Sequence, residues 1–242
     1  MTIVDCFWEL NNLGKKTVEI TIGTETDFDP QMFSDIIKDY EYAVVKVPMN
    51  MPIFNLGLSR MGFVCIETQM NVATEKKDFD FSRVAHLYND TSYEVVKDND
   101  NLYSVISQIQ PGMFSTDRIT IDPLFGENVG CQRYINWIKT EFLHKKSQLV
   151  KVIHQDEHVG FMLLRFTRDS VDLLLNGLYK FYQGKGMGLL TPASPMMYVK
   201  KNNIQIKKET TSISSNNIPV VKLYNKLNFQ IINQTYVFVK HL

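Results

Sequence analysis

The chain has few of the residues that would mark it for an oxidising compartment or a membrane. Its 242 residues include three cysteines, Cys6, Cys65 and Cys131. They are far apart, and without a Cys-x-x-Cys pair they exclude a disulfide framework and a zinc knuckle; they read as free buried thiols. No apolar run approaches the roughly 18 residues that a spanning helix needs. Asp5 and Glu9 interrupt the start, where a secretory signal would place its apolar stretch. These absences predict a soluble, cytoplasmic protein with no membrane partner. Net charge is absent as well, with 26 Lys plus Arg against 26 Asp plus Glu. The basic residues are not interleaved with aromatics in any recognition pattern, so nucleic acid is not the expected partner. Content of 44% hydrophobic, 12% aromatic and 21% charged residues excludes a disordered tail or a collagen-like fibre. There is no internal repeat and no low-complexity segment. The length permits one large domain or two small ones.

The balanced total hides an asymmetry. Residues 1–107 hold 9 basic against 17 acidic side chains, and residues 108–242 hold 17 against 9. A basic second half suits an anionic ligand or the acidic first half itself. The first half reads as an α/β module of short elements. Thr17 to Ile22 alternates as a strand, Asp29-Pro30 opens a helix through Asp39, and Tyr42 to Val47 is a buried strand. Met51 to Met61 reads as a helix, Gly62 to Val72 as a longer strand and Asn101 to Gln110 as a helix. The polar stretch Lys97-Asp-Asn-Asp-Asn101 is the expected linker, giving domains at 1–107 and 108–242. The second half is easier to read. Gln132 to Lys146 has helical spacing, Leu149–Gln155 and His158–Arg168 form a hairpin around Gln155-Asp156-Glu157, and Val171 to Leu178 adds a strand. A glycine-rich loop, a helix to Lys201, a strand Ile204–Ile213, a helix to Leu227 and a last strand complete the order.

The loop Gln183-Gly184-Lys185-Gly186-Met187-Gly188 joins a predicted strand to a predicted helix. Glycines there let backbone N–H groups converge on an anion at the positive end of a helix, as a pyrophosphate site requires. It is not a P-loop, because no Gly-Lys-Ser/Thr follows, and its G-x-G-x-G spacing is a poor dinucleotide fingerprint. A tight turn without a ligand is the alternative. Further on, Asn217-Ile-Pro-Val-Val-Lys-Leu-Tyr224-Asn-Lys-Leu-Asn-Phe229 starts a helix with a capping Asn and leads into the closing strand.

Together these two segments resemble the GCN5-related N-acetyltransferase (GNAT) superfamily. Gln183, Gly186 and Gly188 fill its pyrophosphate motif, and Asn217, Tyr224, Lys226, Leu227 and Phe229 fill its later N-x(6)-Y-x-K-L-G-F segment. Asn228 replaces the usual glycine, a tolerable change because asparagine adopts the left-handed conformation. A narrower resemblance lies in Phe114-Ser-Thr-Asp-Arg118-Ile-Thr-Ile-Asp122-Pro123 and Tyr134-Ile-Asn-Trp137-Ile138. These segments look like their counterparts in TDP-fucosamine acetyltransferase and related sugar-amine N-acetyltransferases, which carry an N-terminal α/β domain of similar length. Arg118 and Asp122 there are either substrate contacts or a structural ion pair tying the domains together.

The resemblance implies an α/β (α+β) fold. Its sheet would be of GNAT type, mixed but mostly antiparallel, flanked by helices and preceded by a smaller N-terminal α/β domain. It implies acetyl-CoA as cosubstrate, held by Leu178, Gln183, Gly184, Lys185, Gly186, Met187, Gly188, Asn217 and Tyr224. Tyr224 would be the general acid for the departing thiolate, a role suited to a phenol that stays protonated at neutral pH. The acceptor would be the amine of a nucleotide-activated amino sugar, with an amino acid, polyamine or protein N-terminus as alternatives, and a homodimer is what related enzymes suggest. A non-catalytic acyl-CoA-binding protein is the reading from outside the enzyme class. No dedicated base is required if the amine is already neutral, and Glu209 and His158 are the candidate relays. His154 and His158 have the i,i+4 spacing of a metal pair only on a helix, whereas here they flank a hairpin turn, so no metal is expected.

Overall fold

A computed structural model describes all 242 residues. The first half contributes β1 (Thr2–Asp5), α1 (Glu9–Leu13), β2 (Thr17–Thr21), α2 (Pro30–Ile37), β3 (Tyr42–Pro48), α3 (Pro52–Arg60), β4 (Val64–Glu75), α4 (Ala85–Tyr88), β5 (Thr91–Val95) and α5 (Asn99–Ile106). The second half contributes α6 (Gly126–His144), β6 (Gln148–His154), β7 (Glu157–Phe166), β8 (Ser170–Leu178), α7 (Leu190–Lys201), β9 (Lys208–Ser214), α8 (Ile218–Lys226) and β10 (Gln230–His241).

Local chemistry explains where several elements begin and end. Asp29 caps α2 by accepting from the Gln31 and Met32 N–H groups, and Pro30 occupies the first helical position. Asn217 caps α8 by accepting from Val220 N–H, with Pro219 in the first turn. Gln155 and Asp156 both lie at positive φ (51° and 62°), forming the two-residue turn between β6 and β7. Asn228, after α8, has φ 63°, the left-handed geometry expected of a residue standing in for glycine.

Other boundaries differ from the sequence reading. The expected linker is partly helical, because Asp98 accepts from Asn101 N–H and opens α5 inside it. β9 begins at Lys208, not Ile204, because Ile204 and Ile206 pack onto the core from an irregular connection and so mimic a strand's apolar pattern. Cys65 is exposed while Cys6 and Cys131 are buried, since the first residues of β4 face solvent.

All ten strands form one sheet in the order β1-β2-β3-β10-β4-β9-β8-β7-β6-β5. Only the β2–β3 and β8–β9 pairs are parallel. The last strand, β10, is hydrogen-bonded between β3 and β4, so the sheet runs through both halves of the chain. One face packs against α7 and α8 through Met70, Val72, Met162, Leu164, Val171 and Leu173. The opposite face of β6–β8 packs against α5 and α6 through Leu149, Phe161 and Leu163. Burial on both faces is why β7 reads as a continuous apolar run. A separate cluster under α2 and α3, centred on Phe33, Val45 and Leu58, closes the first half. No helix is long and apolar enough to cross a membrane.

Candidate active site

The site begins where two parallel strands part. β8 and β9 pair only from Ser170 with Lys208 to Leu173 with Thr211. The Thr211 hydroxyl donates to the Leu173 carbonyl at 2.8 Å. Leu163 then faces Leu175 while Leu164 faces Leu173, which leaves Leu174 as an extra, bulged residue that bends β8 away. Beyond the bulge, β8 bonds only to β7 and Ser212–Ser214 of β9 only to β4. The facing strand edges are open to hydrogen bonding from a ligand lying between them.

Glycine sets how closely β7 and β8 approach at the open end. A Cβ on Gly160 would fall 2.4 Å from the Gly177 carbonyl oxygen. Asn176 ties the splayed end of β8 to α7 by donating from Nδ2 to the Thr191 carbonyl. That carbonyl needs an outside donor because the residue four positions on is Pro195, which has no N–H.

Above the open end lies the glycine loop. Gly184 and Gly186 hold φ of 74° and 83°, with empty space where a Cβ would project. The N–H groups of residues 184–189 donate to no group of the protein, and no side chain caps the start of α7. That is the arrangement of an anion cradle at a helix N-terminus. Gln183 donates from Nε2 to the Leu178 carbonyl at 2.9 Å, fixing the loop to the end of β8. Gly188 lets α8 pack close, with Leu223 3.3 Å from where its Cβ would stand. Lys185 Nζ lies 3.4 Å over the Phe181 ring, and Met187 packs on the core beneath.

A cleft of about 1180 Å³ passes through the opening. Leu178, Gln183, Gly184, Gly188, Asn217 and Tyr224 line it, while Lys185, Gly186 and Met187 stand just behind on the same loop. Tyr224 is 2% exposed and packs edge-on against Phe229. Burial, reinforced by Glu209 and opposed by the neighbouring Thr211 hydroxyl, pushes its phenol far above the ordinary tyrosine range, so it stays protonated.

The two candidate relays lie elsewhere. Glu209 is fully buried in β9, neither oxygen has a partner, and burial raises its pKa well above the carboxylate range. His158 is outside the cleft, its ring nitrogens 3.2 Å from Gln108 Nε2 and 2.9 Å from the Tyr179 hydroxyl. Burial and Lys151 lower its pKa to about 4. His154 instead meets the Thr91 hydroxyl at 3.0 Å. Arg118 and Asp122 do not pair with each other. Asp122 meets His241 of β10 at 2.8 Å and Arg118 lies 3.8 Å from Glu19 of β2, so each ties its loop to a different strand.

The far wall of the cleft was missed in the residue-by-residue reading. It is built from Trp8 just before α1, Asn11 of α1, β4 (Glu67, Gln69), the 113–118 loop and α6 (Tyr134, Trp137). α1 is held against α6 by a bidentate Arg133–Glu9 pair, Nη2 donating to Oε1 at 2.6 Å and Nε to Oε2 at 3.1 Å, and by Asn136 donating to Asn12 at 2.8 Å. The segments 114–123 and 134–138, which carried the sugar-amine resemblance, were the available signal for this wall.

No family model matches the sequence, and no curated protein matches it either. Solved structures do match the fold. A functionally unknown conserved protein from Staphylococcus epidermidis superposes with a TM-score of 0.64 at 13% identity, covering 93% of this chain and 84% of that one. A GCN5-related N-acetyltransferase from Kribbella flavida gives 0.55 at 10% identity, over 93% and 80% of the two chains. Another, from Sphaerobacter thermophilus, gives 0.54 at 9% identity over 82% of this chain; this chain spans 59% of its length. The mostly antiparallel sheet flanked by helices is therefore a GNAT-type fold.

Proposed function

We propose that this protein is an acyl-CoA-dependent N-acetyltransferase whose acceptor is the amine of a nucleotide-linked amino sugar. One observation carries the reading. An opening between parallel strands leads from a loop of six unbonded N–H groups to a buried, protonated tyrosine. The loop and the start of α7 have the donors for the pyrophosphate of acetyl-CoA, and the open edges of β8 and β9 have those for its amide-bearing arm. The acceptor half supports a sugar, because the aromatic faces of Trp8, Tyr134 and Trp137 stand among the amides of Asn11, Asn136 and Gln69.

The chemistry asked of the chain is modest. The amine nitrogen bonds to the acetyl carbonyl carbon, the carbon–sulfur bond breaks, and Tyr224 gives its hydroxyl proton to the departing sulfur. Water in the open cleft takes the proton lost by nitrogen. Asn217 both caps α8 and presents its side chain to the cleft, which fixes the helix that carries Tyr224. Glu209, buried below without a hydrogen-bond partner, adds to the burial that keeps the proton on the phenol.

Calorimetry with acetyl-CoA, followed by a thiol-release assay over UDP- and dTDP-linked amino sugars, amino acids and polyamines, tests this. Binding together with CoA release for an amino-sugar nucleotide is the expected result. Absence of acetyl-CoA binding refutes the reading, and release confined to amino acids or polyamines refutes the acceptor class.

A further inference from the structure

Three carboxylates line the cleft, and two of them are occupied. Asp117 accepts from Ile119 N–H, Thr120 N–H and the Thr120 hydroxyl, closing its own turn. Glu141 accepts from Arg165 at 3.0 Å and also from Ser147. Glu67 of β4 is half-buried and lines the cleft, yet it has no ion-pair partner within 4 Å, and the Ser214 hydroxyl is the one protein donor its carboxylate has.

Position narrows what it can do. Val72 of β4 faces Thr211, which stands beside Tyr224, and Glu67 lies five positions along the same strand. At about 3.3 Å per residue that is about 16 Å, beyond the reach of a glutamate side chain to the reacting amine. Gln69 and Glu67 project to the face opposite Met70 and Val72, which belong to the core under α7 and α8. Glu67 therefore meets the distal part of an acceptor, away from the acetyl group.

Its surroundings narrow the ligand. Arg118 and Lys46 already place positive charge near it, and the Ser214 hydroxyl is adjacent. Beyond Ser214 the protein gives this carboxylate no donor, so a ligand that displaces the cleft water there must bring its own donors or leave the carboxylate unpaired. Two adjacent hydroxyls match the two oxygens of one carboxylate.

We propose that Glu67 is a specificity residue that accepts a vicinal diol on the distal part of the acceptor, either in the amino sugar or in a nucleotide ribose. This rests on the transferase reading for the identity of the cleft, and the test separates the two. The ligands are three that bear a diol, UDP-glucosamine, dTDP-glucosamine and free glucosamine, and the diol-free amine spermidine, titrated by calorimetry into wild type and Glu67→Gln, each saturated with CoA. Acetyl-CoA affinity, equal in the two proteins, reports that the variant is folded.

The expected result is an about ten- to hundred-fold weaker Kd in Glu67→Gln for the diol-bearing ligands. Loss confined to UDP-glucosamine assigns the ribose, which dTDP carries without its 2′-hydroxyl, whereas loss across all three assigns the hexose. Equal affinities in the two proteins overturn the assignment, as does a loss seen only for spermidine, which would make Glu67 an ammonium site. Diol binding by wild type without CoA release from acetyl-CoA refutes the transferase reading and leaves the Glu67 site standing. Turnover by wild type with an unchanged KM in Glu67→Gln does the reverse.

Discussion

Asn176→Ala strips the Thr191 carbonyl of the amide that stands in for the missing Pro195 N–H. Both residues border the cleft, so water reaches the orphaned carbonyl in part, and the cost is about 1–2 kcal/mol, below that of a fully buried group. For a chain of this size that lowers Tm by about 4 °C. Pro195→Ala supplies the missing N–H in the helix, so alone it is neutral or stabilising. In its background the carbonyl has a helical donor again, and Asn176→Ala then costs less than about 0.5 kcal/mol. The two changes therefore couple by about 1 kcal/mol, measured as a double-mutant cycle from urea unfolding of the four proteins. Additivity within about 0.3 kcal/mol would show that Asn176 does not substitute for the helix hydrogen bond.

Three further outcomes follow from the site. Tyr224→Phe keeps the packing and removes the acid, so kcat falls about a hundred-fold or more while acetyl-CoA affinity changes less than about three-fold; equal losses in the two would remove Tyr224 from the acid role. Gly160→Ala drives a Cβ against the backbone carbonyl of Gly177, which cannot swing aside; a loss of about 3 kcal/mol is expected in urea melts, with weaker acetyl-CoA binding, and a wild-type midpoint would contradict the close approach. Glu209 retains in the folded chain a proton that the unfolded chain releases, so its contribution is whole below the ordinary glutamate range and is lost as pH rises above about 4.5. Glu209→Gln should flatten that slope, seen as a variant that gains on wild type as pH rises above about 4.5 in thermal melts; parallel curves would place the Glu209 carboxylate in water.

Sequence was informative where structure is local. The Asp29 and Asn217 caps, the Gln155–Asp156 turn, the loop at 183–188 and the left-handed Asn228 all depend on residues within a few positions of one another. It was silent where the determinant is distant. β1 and α1 carry no clear alternation, because every residue of β1 is exposed and only Glu9 of α1 is buried, through a partner 124 residues away. β5 is an edge strand whose short alternation gives little signal. Glu67 reads as an ordinary polar residue in a strand until the 113–118 loop and α6 are folded over it.

The place of β10 bears on how the molecule is assembled in time. Its bonds join residues such as Asn71 and Asn233, 162 positions apart, and it fills the slot between two strands synthesised long before it. Until it arrives, β3 and β4 each present a naked edge to solvent, and the entropy of closing so large a loop falls due in one late step. Folding should therefore be slow for a chain of this size, and the vulnerable species is one with nearly all of its secondary structure but two unsatisfied sheet edges. A synthetic peptide with the sequence of residues 230–241, added during refolding, would compete for that slot and trap this species.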